Sequence, residues 1–349
     1  MNFIKYFILN GLVLFFLSCG GEKDPSSFFS LKFKSGQKEF QQFDTIRPVI
    51  GNKKEFPIDS VRFSIAGEDL PFNNDELVLR VSKLGVQTVK AHFKSEGNSI
   101  EISRDIKILA PVAPALYTYE IINEYPHDIQ AFTQGLEFYQ DTLYESTGSG
   151  NGAKSFVRKL DFRTGQVFKQ VDLEPKYFGE GITVLNDKLY QLTWQSKVGF
   201  LYNVSDLKRI DQFQYGQSKE GWGLCNDGTH IFKSDGTERI WMLNPVTLVE
   251  EDNIQIVTNK SIFNKANELE YVEGKIYANV WQKESMMIID ATSGAIEGVV
   301  NLGGLKEKVK QHPKLDVLNG IAYHPTRNTF FVTGKNWDTL FEIQLKRKE

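Results

Sequence analysis

One carboxylate, one amine, three carboxamides and three indoles in this chain have types and spacings that could do chemistry together. They are Glu180, Lys335, the amides Gln134, Asn267 and Asn319, and Trp194, Trp222 and Trp281. A carboxyl group among indoles is desolvated, which raises its pKa and lets it carry a proton in both directions; a nearby ammonium opposes that rise. Carboxamides orient another amide through paired donor and acceptor contacts. Indole faces suit a flat or apolar group, or a cation. Singly, each of these residues is more ordinary as a blade cap or a turn. The set is different, because structural positions in a repeat look alike from copy to copy and these differ in every copy.

A repeat is what gathers them. The stretch FTQGLEFYQDTLYESTG, residues 132–148, returns as EGITVLNDKLYQLTW (180–194), WGLCNDGTHIFKSDG (222–236), NELEYVEGKIYANVW (267–281) and NGIAYHPTRNTFFVTGK (319–335). A small residue marks the phase at Gly135, Gly181, Gly223 and Gly320, with Glu268 breaking the rule, at spacings of 46, 42, 45 and 52 residues. That period suits one four-stranded propeller blade per copy. In the first copy the runs are 136–139, 143–146, 156–161 and 166–172; the last copy has only 321–323, 330–333 and 340–345. A strand at 119–125, upstream of the first copy, can complete the last blade and remove the exposed sheet edges. The expected fold is therefore all-β, a five-bladed β-propeller, with an open β-solenoid as runner-up. In a propeller the first strand starts at the rim where the second ends. Gln134, Glu180, Trp222, Asn267 and Asn319 precede the phase mark, and Gly148, Trp194, Gly236, Trp281 and Lys335 follow the second-strand aromatic by four. Both sets fall at one mouth.

The remainder of the chain frames this unit. Residues 1–19 are an apolar targeting segment, too short to span a bilayer and ending FLSCGG, which resembles a bacterial lipoprotein signal with Cys19 as the lipidated residue. An ordinary secretory signal cut near Ser18 is the alternative. Residues 20–27 form a polar tether. Period-two alternation over 28–110 indicates a small immunoglobulin-like β-sandwich with no evident chemistry, a spacer or a protein-binding module. Residues 111–116 are a Pro/Ala linker, and the propeller unit occupies 117–349. The expected product is an exported, membrane-anchored monomer on the periplasmic or cell-surface side.

Net charge is −3 with no basic block, which argues against nucleic acid. Cys225 stands alone after export, a small buried residue with no disulfide partner. His92, His127, His230, His312 and His324 are scattered, with no metal-ligand pair and no phosphate loop or nucleophile elbow. They are expected at the surface or in turns, and no metal or cofactor is expected.

FTQGL, FGEGIT, LTW, EGWGL, SDG, NELEY, ANVW, LNGIAY and GKNW stand in order between residues 132 and 337. With them the stretch 117–346 resembles the plant-type, metal-independent glutaminyl-peptide cyclotransferases. The resemblance implies a five-bladed propeller that converts N-terminal glutamine of peptides or proteins to pyroglutamate with release of ammonia. It implies Glu180 as general acid/base, Gln134, Asn267 and Lys335 as the residues orienting the γ-amide, and Phe132, Trp194, Trp222 and Trp281 as substrate walls; Asn319 joins them as a ring position. Two other readings compete. One is a non-catalytic propeller that binds peptide or sugar at the rim. The other is a hydrolase propeller with calcium on Glu180, Asn267 and Asn319.

Overall fold

Strands, several of them joined by left-handed two-residue turns, build most of the described residues. Asn186 and Asp187 have φ of 53° and 58°, the pair that closes a tight hairpin with the native twist, here between Gly179–Leu185 and Lys188–Thr193. Gln140 and Asp141, at 49° and 62°, do the same for Thr133–Tyr139 and Thr142–Thr147. The computed structural model describes residues 25–349; Cys19 and the tether as far as residue 24 lie outside the described residues.

Three four-stranded antiparallel sheets follow one another in the chain. The first runs Thr133–Tyr139, Thr142–Thr147, Phe156–Leu160 and Val167–Asp172. The second runs Gly179–Leu185, Lys188–Thr193, Val198–Asn203 and Arg209–Gln214. The third runs Leu224–Asn226, Ile231–Ser234, Arg239–Leu243 and Glu250–Gln255. Burial falls outward along each sheet. Gly179–Leu185 is buried along its whole length, whereas Arg209–Gln214, rich in charged and amide side chains, is nearly all exposed. The first strands pack side by side around a common centre. Thr133–Tyr139 touches Gly179–Leu185, which touches Leu224–Asn226, which touches Ala266–Val272; that strand touches Leu318–His324, which returns to Thr133–Tyr139.

The remaining strands from Ala115 onward form one eight-stranded sheet. The upstream strand expected to supply the missing element is Ala115–Pro126. It pairs antiparallel with Thr339–Arg347, from Tyr117 opposite Arg347 to Pro126 opposite Thr339. The two ends of the unit are thus joined by a backbone ladder. Glu342 fixes the joint: its carboxylate accepts from Asn123 and Tyr125 of the entering strand and from Arg327 and Thr329 of the last repeat. Residues 115–117 of the entering strand also pair, in parallel, with Ile296–Asn301, which is why the last two sets of strands form one sheet.

The N-terminal unit is mainly strand, with one short helical turn at Pro25–Phe28, and is built on the long hairpin Gly85–Ser95 and Asn98–Leu109. Its core, including Leu77, Val89, Ala91 and Ile108, takes in Val257 from the second unit, with Ile262 and Ala295 packed against it. Leu84 N–H donates to Ser293 O at 3.0 Å, and Ala110 N–H to Thr258 O at 3.1 Å. The connecting segment is residues 110–114, because the next strand already begins at Ala115. Cys225 is buried, 3% exposed, as its apolar strand suggested. Two histidines depart from expectation. His127 is buried between the Trp337 carbonyl and Glu145, and buried His324 hydrogen-bonds Asp141. Each sits where neighbouring sheets meet, so a polar ring tip finds a partner without solvent.

Candidate active site

The mouth residues are aimed by irregularities at the start of the inner strands. Pairing of four of the inner strands with their neighbours slips, between Thr133 and Gly135, Gly179 and Ile182, Ala266 and Leu269, and Leu318 and Ile321. An extra residue in a ladder bends the strand and re-aims a side chain. Gln134, Glu180, Asn267 and Asn319 sit at these slips. The small residue beside them has a separate reason. A Cβ on Gly181 would lie 2.6 Å from Gly223 Cα and from the Trp222 carbonyl oxygen, so glycine lets adjacent inner strands touch at the centre. The second mouth position is bonded to the residue two before the first. Trp194 N–H donates to Phe178 O at 3.0 Å, Gly148 N–H to Phe132 O at 2.9 Å, and Trp281 N–H to Lys265 O at 2.9 Å.

Phe132, Gln134, Phe178, Glu180, Trp194, Trp222, Asn267, Trp281 and Lys335 line one cavity of about 180 Å³. Its walls are aromatic. Trp222 and Trp281 have ring centres 5.8 Å apart, Phe178 and Trp194 5.6 Å, and Phe132 meets Phe178 edge-on at 6.0 Å. The two mouth glycines make room for these rings: a Cβ on Gly148 would fall 2.1 Å from Phe178, and one on Gly236 2.5 Å from Trp222.

A polar chain runs across the floor. Asn319 Nδ2 donates to Thr133 O and to Gln134 Oε1, both at 3.0 Å, and Gln134 Nε2 donates to Glu180 Oε1 at 2.8 Å. Thr133 O can only accept, so Asn319 must present its amine side there. Gln134 must then present oxygen to Asn319 and nitrogen to Glu180. The Lys335 ammonium lies 4.7 Å from the centre of the Phe132 ring. Burial pushes the Glu180 carboxyl well above its ordinary range; Lys335 and the Gln134 hydrogen bond pull the other way, while the Glu220 charge adds to the rise. Burial likewise lowers Lys335, against the attraction of Glu180 and Asp316. Removal from water thus drives both groups toward their neutral forms, and each holds the other back.

Eight of the nine residues proposed from sequence for catalysis and substrate binding line this cavity. Asn319 does not. It is fully buried behind Gln134 because its side chain turns toward the Thr133 carbonyl. Of the three residues of the calcium reading, Glu180 and Asn267 line the cavity and Asn319 stands behind Gln134. Two further residues belong to the site. Phe178 lines the cavity, and Glu220 accepts hydrogen bonds from the Trp194 and Trp222 indoles. The signal for both was present. Phe132, Phe178 and Glu220 each stand two residues before a ring position.

The glutamine cyclotransferase family model matches residues 95–345. The chain belongs to the glutamine cyclotransferase family. It is accordingly an enzyme of the cyclotransferase class. A glutaminyl-peptide cyclotransferase of Arabidopsis thaliana is 38% identical over 257 residues, which are 73% of this chain and 76% of the plant protein. The crystal structure of Myxococcus xanthus glutaminyl cyclase superposes with a TM-score of 0.62 at 33% identity, covering 68% of this chain and 100% of that one. The family match spans all nine cavity-lining residues.

Proposed function

We propose that this chain cyclises N-terminal glutamine of peptides or proteins to pyroglutamate, releasing ammonia, without a metal ion, with Glu180 moving the proton. The observation that carries the reading is the hydrogen bond from Gln134 Nε2 to Glu180 Oε1 in a cavity that Lys335 and three indoles also line. The substrate α-nitrogen attacks the side-chain carbonyl carbon, a C–N bond forms, and an oxyanion develops. An α-amine titrates near 8 when free, so the nucleophile is accessible at neutral pH. Glu180 takes a proton from the attacking nitrogen and returns it to the departing amide nitrogen, which leaves as ammonia. Lys335 and Asn267 donate to the oxyanion, each such donor being worth about 3–4 kcal/mol in comparable acyl chemistry. The aromatic walls exclude water and hold the glutaminyl residue with its ends in reach, and orientation dominates because the reaction is intramolecular.

The closed set of inner strands supports a five-bladed propeller. The hairpin-based N-terminal unit supports an immunoglobulin-like sandwich, and the FLSCGG motif supports export and anchoring through Cys19. A non-catalytic peptide- or sugar-binding rim would not require an acid, an amine and amides in one dry cavity. A coupled ammonia assay on Gln-Xaa dipeptides, with and without EDTA, tests the proposal. Ammonia release at the same rate in chelator is expected. No release refutes the activity, and loss in chelator refutes metal independence.

A further inference from the structure

The indole of Trp194 is 38% exposed, and an exposed ring on a cavity wall samples several rotamers unless something holds it. One atom holds it here. Glu220 Oε2 accepts from Trp194 Nε1 at 2.6 Å and from Trp222 Nε1 at 2.8 Å, while its other oxygen accepts from Gln195 at 3.2 Å. The two indoles come from different sheets. Trp194 follows the second strand of the second sheet, and Trp222 precedes the inner strand of the third. The segment carrying Glu220 is itself tied down. Gln217 and Ser218 donate backbone N–H to Glu250 at 2.6 and 2.9 Å, and Lys219 N–H donates to Asp235 at 3.2 Å. Glu250 is in turn paired at 3.1 Å with Lys233, whose side chain is fully buried. A carboxylate on such a base, with both indoles on one oxygen, fixes the angle between two walls.

We propose that Glu220 is a positioning residue of the cyclisation site: it clamps Trp194 and Trp222 together as one substrate wall and sets a negative charge beside Glu180. The inference rests on the function proposed above. The charges acting on Glu180 are Lys335 from the last repeat and Glu220 from the segment before the third sheet, and Glu180 in turn acts on the Tyr215 phenol. Of these, Glu220 is the one that hydrogen-bonds both Trp194 and Trp222. Its two tasks can be separated. Glu220→Ala removes both the clamp and the charge. Glu220→Gln keeps an acceptor oxygen for the indoles and removes the charge alone.

The test uses the full mature chain with 15N-labelled tryptophan and a Gln-Xaa dipeptide. In Glu220→Ala the indole N–H resonances of Trp194 and Trp222 shift together and KM rises about tenfold, while kcat changes less. Glu220→Gln restores KM to within about threefold of wild type. Because a like charge disfavours ionisation of a neighbouring carboxyl, Glu220→Gln also moves the acid limb of the kcat/KM profile to lower pH. Indole resonances and KM unchanged in Glu220→Ala overturn the clamp. An acid limb that stays in place in Glu220→Gln overturns the electrostatic role. Should Glu220→Ala fail to fold, Glu220→Gln alone decides by its profile and its indole resonances. A wild-type chain that releases no ammonia refutes the function itself, a result separable from the clamp because the indole resonances are read without turnover.

Discussion

Asn319 is the residue whose structural place differs most from its expected one, and its replacement tests the polar floor. Asn319→Ala removes the donors to Thr133 O and Gln134 Oε1, each at 3.0 Å, and leaves both acceptors buried. A net hydrogen bond contributes about 1 kcal/mol, and an orphaned buried partner costs about 1–3 kcal/mol. Some rehydration of the vacated space brings the expected loss to roughly 2–4 kcal/mol. That corresponds to a fall in Tm of roughly 5–10 °C for a unit of this size. The functional effect goes through Gln134. Without Asn319 only the contact with Glu180 selects which end of the Gln134 amide faces it, and an amide that loosens or flips would set oxygen against the carboxylate. Misplacement near a reacting group can cost up to about 100-fold in rate, so kcat is expected to fall about 10–100-fold with KM within about threefold. Thermal denaturation and steady-state ammonia release measure the two effects. Asn319→Asp should be no better than Ala, because an ionised carboxylate would face two acceptors. Wild-type kcat beside a lowered Tm would show that Asn319 is structural only. An unchanged Tm would refute the hydrogen-bond argument altogether.

Gly148→Ala places a Cβ 2.1 Å from the Phe178 ring; the ring must move, and KM is expected to rise about tenfold with kcat less affected, whereas an unchanged KM would remove Phe178 from the wall. Glu145 is fully buried; burial works against its ionisation, but Arg158 and then His127 outweigh it and hold its pKa at about 2 instead of 4.5. A depressed folded pKa contributes stability that is present above the unfolded value and lost as pH falls through the folded one. Unfolding free energy should therefore drop by roughly 3 kcal/mol on this account between about pH 4.5 and 2, and chemical denaturation of Glu145→Gln should show a shallower fall over that window.

Much of this arrangement was legible in the sequence because the repeat imposes it. The spacing of the small residues placed Gln134, Glu180 and Asn267 in one ring, and the second-strand aromatics placed Trp194, Trp281 and Lys335 beside them. The entering strand was legible because the last repeat lacks one. What escaped was side-chain direction. Asn319 occupies a ring position like Glu180, yet its amide turns inward to the Thr133 carbonyl, and no spacing rule encodes that choice. Glu220 shares the place of Phe132 two before a ring position, but that it binds the indoles of both Trp194 and Trp222 is visible only in the structure. His127 escaped because its burial depends on Glu145 from one strand, itself held by Arg158 of the next.

The claim that most needs a direct measurement is that Glu180 moves the proton. Glu180→Gln keeps an acceptor for Gln134 Nε2, so the fold and the cavity should survive with Tm nearly unchanged. Positioned acid–base catalysis is worth about 10²–10⁴ in rate, and single-turnover ammonia release from a saturating Gln-Xaa dipeptide should fall by that factor. Release within a few-fold of wild type would contradict the assignment.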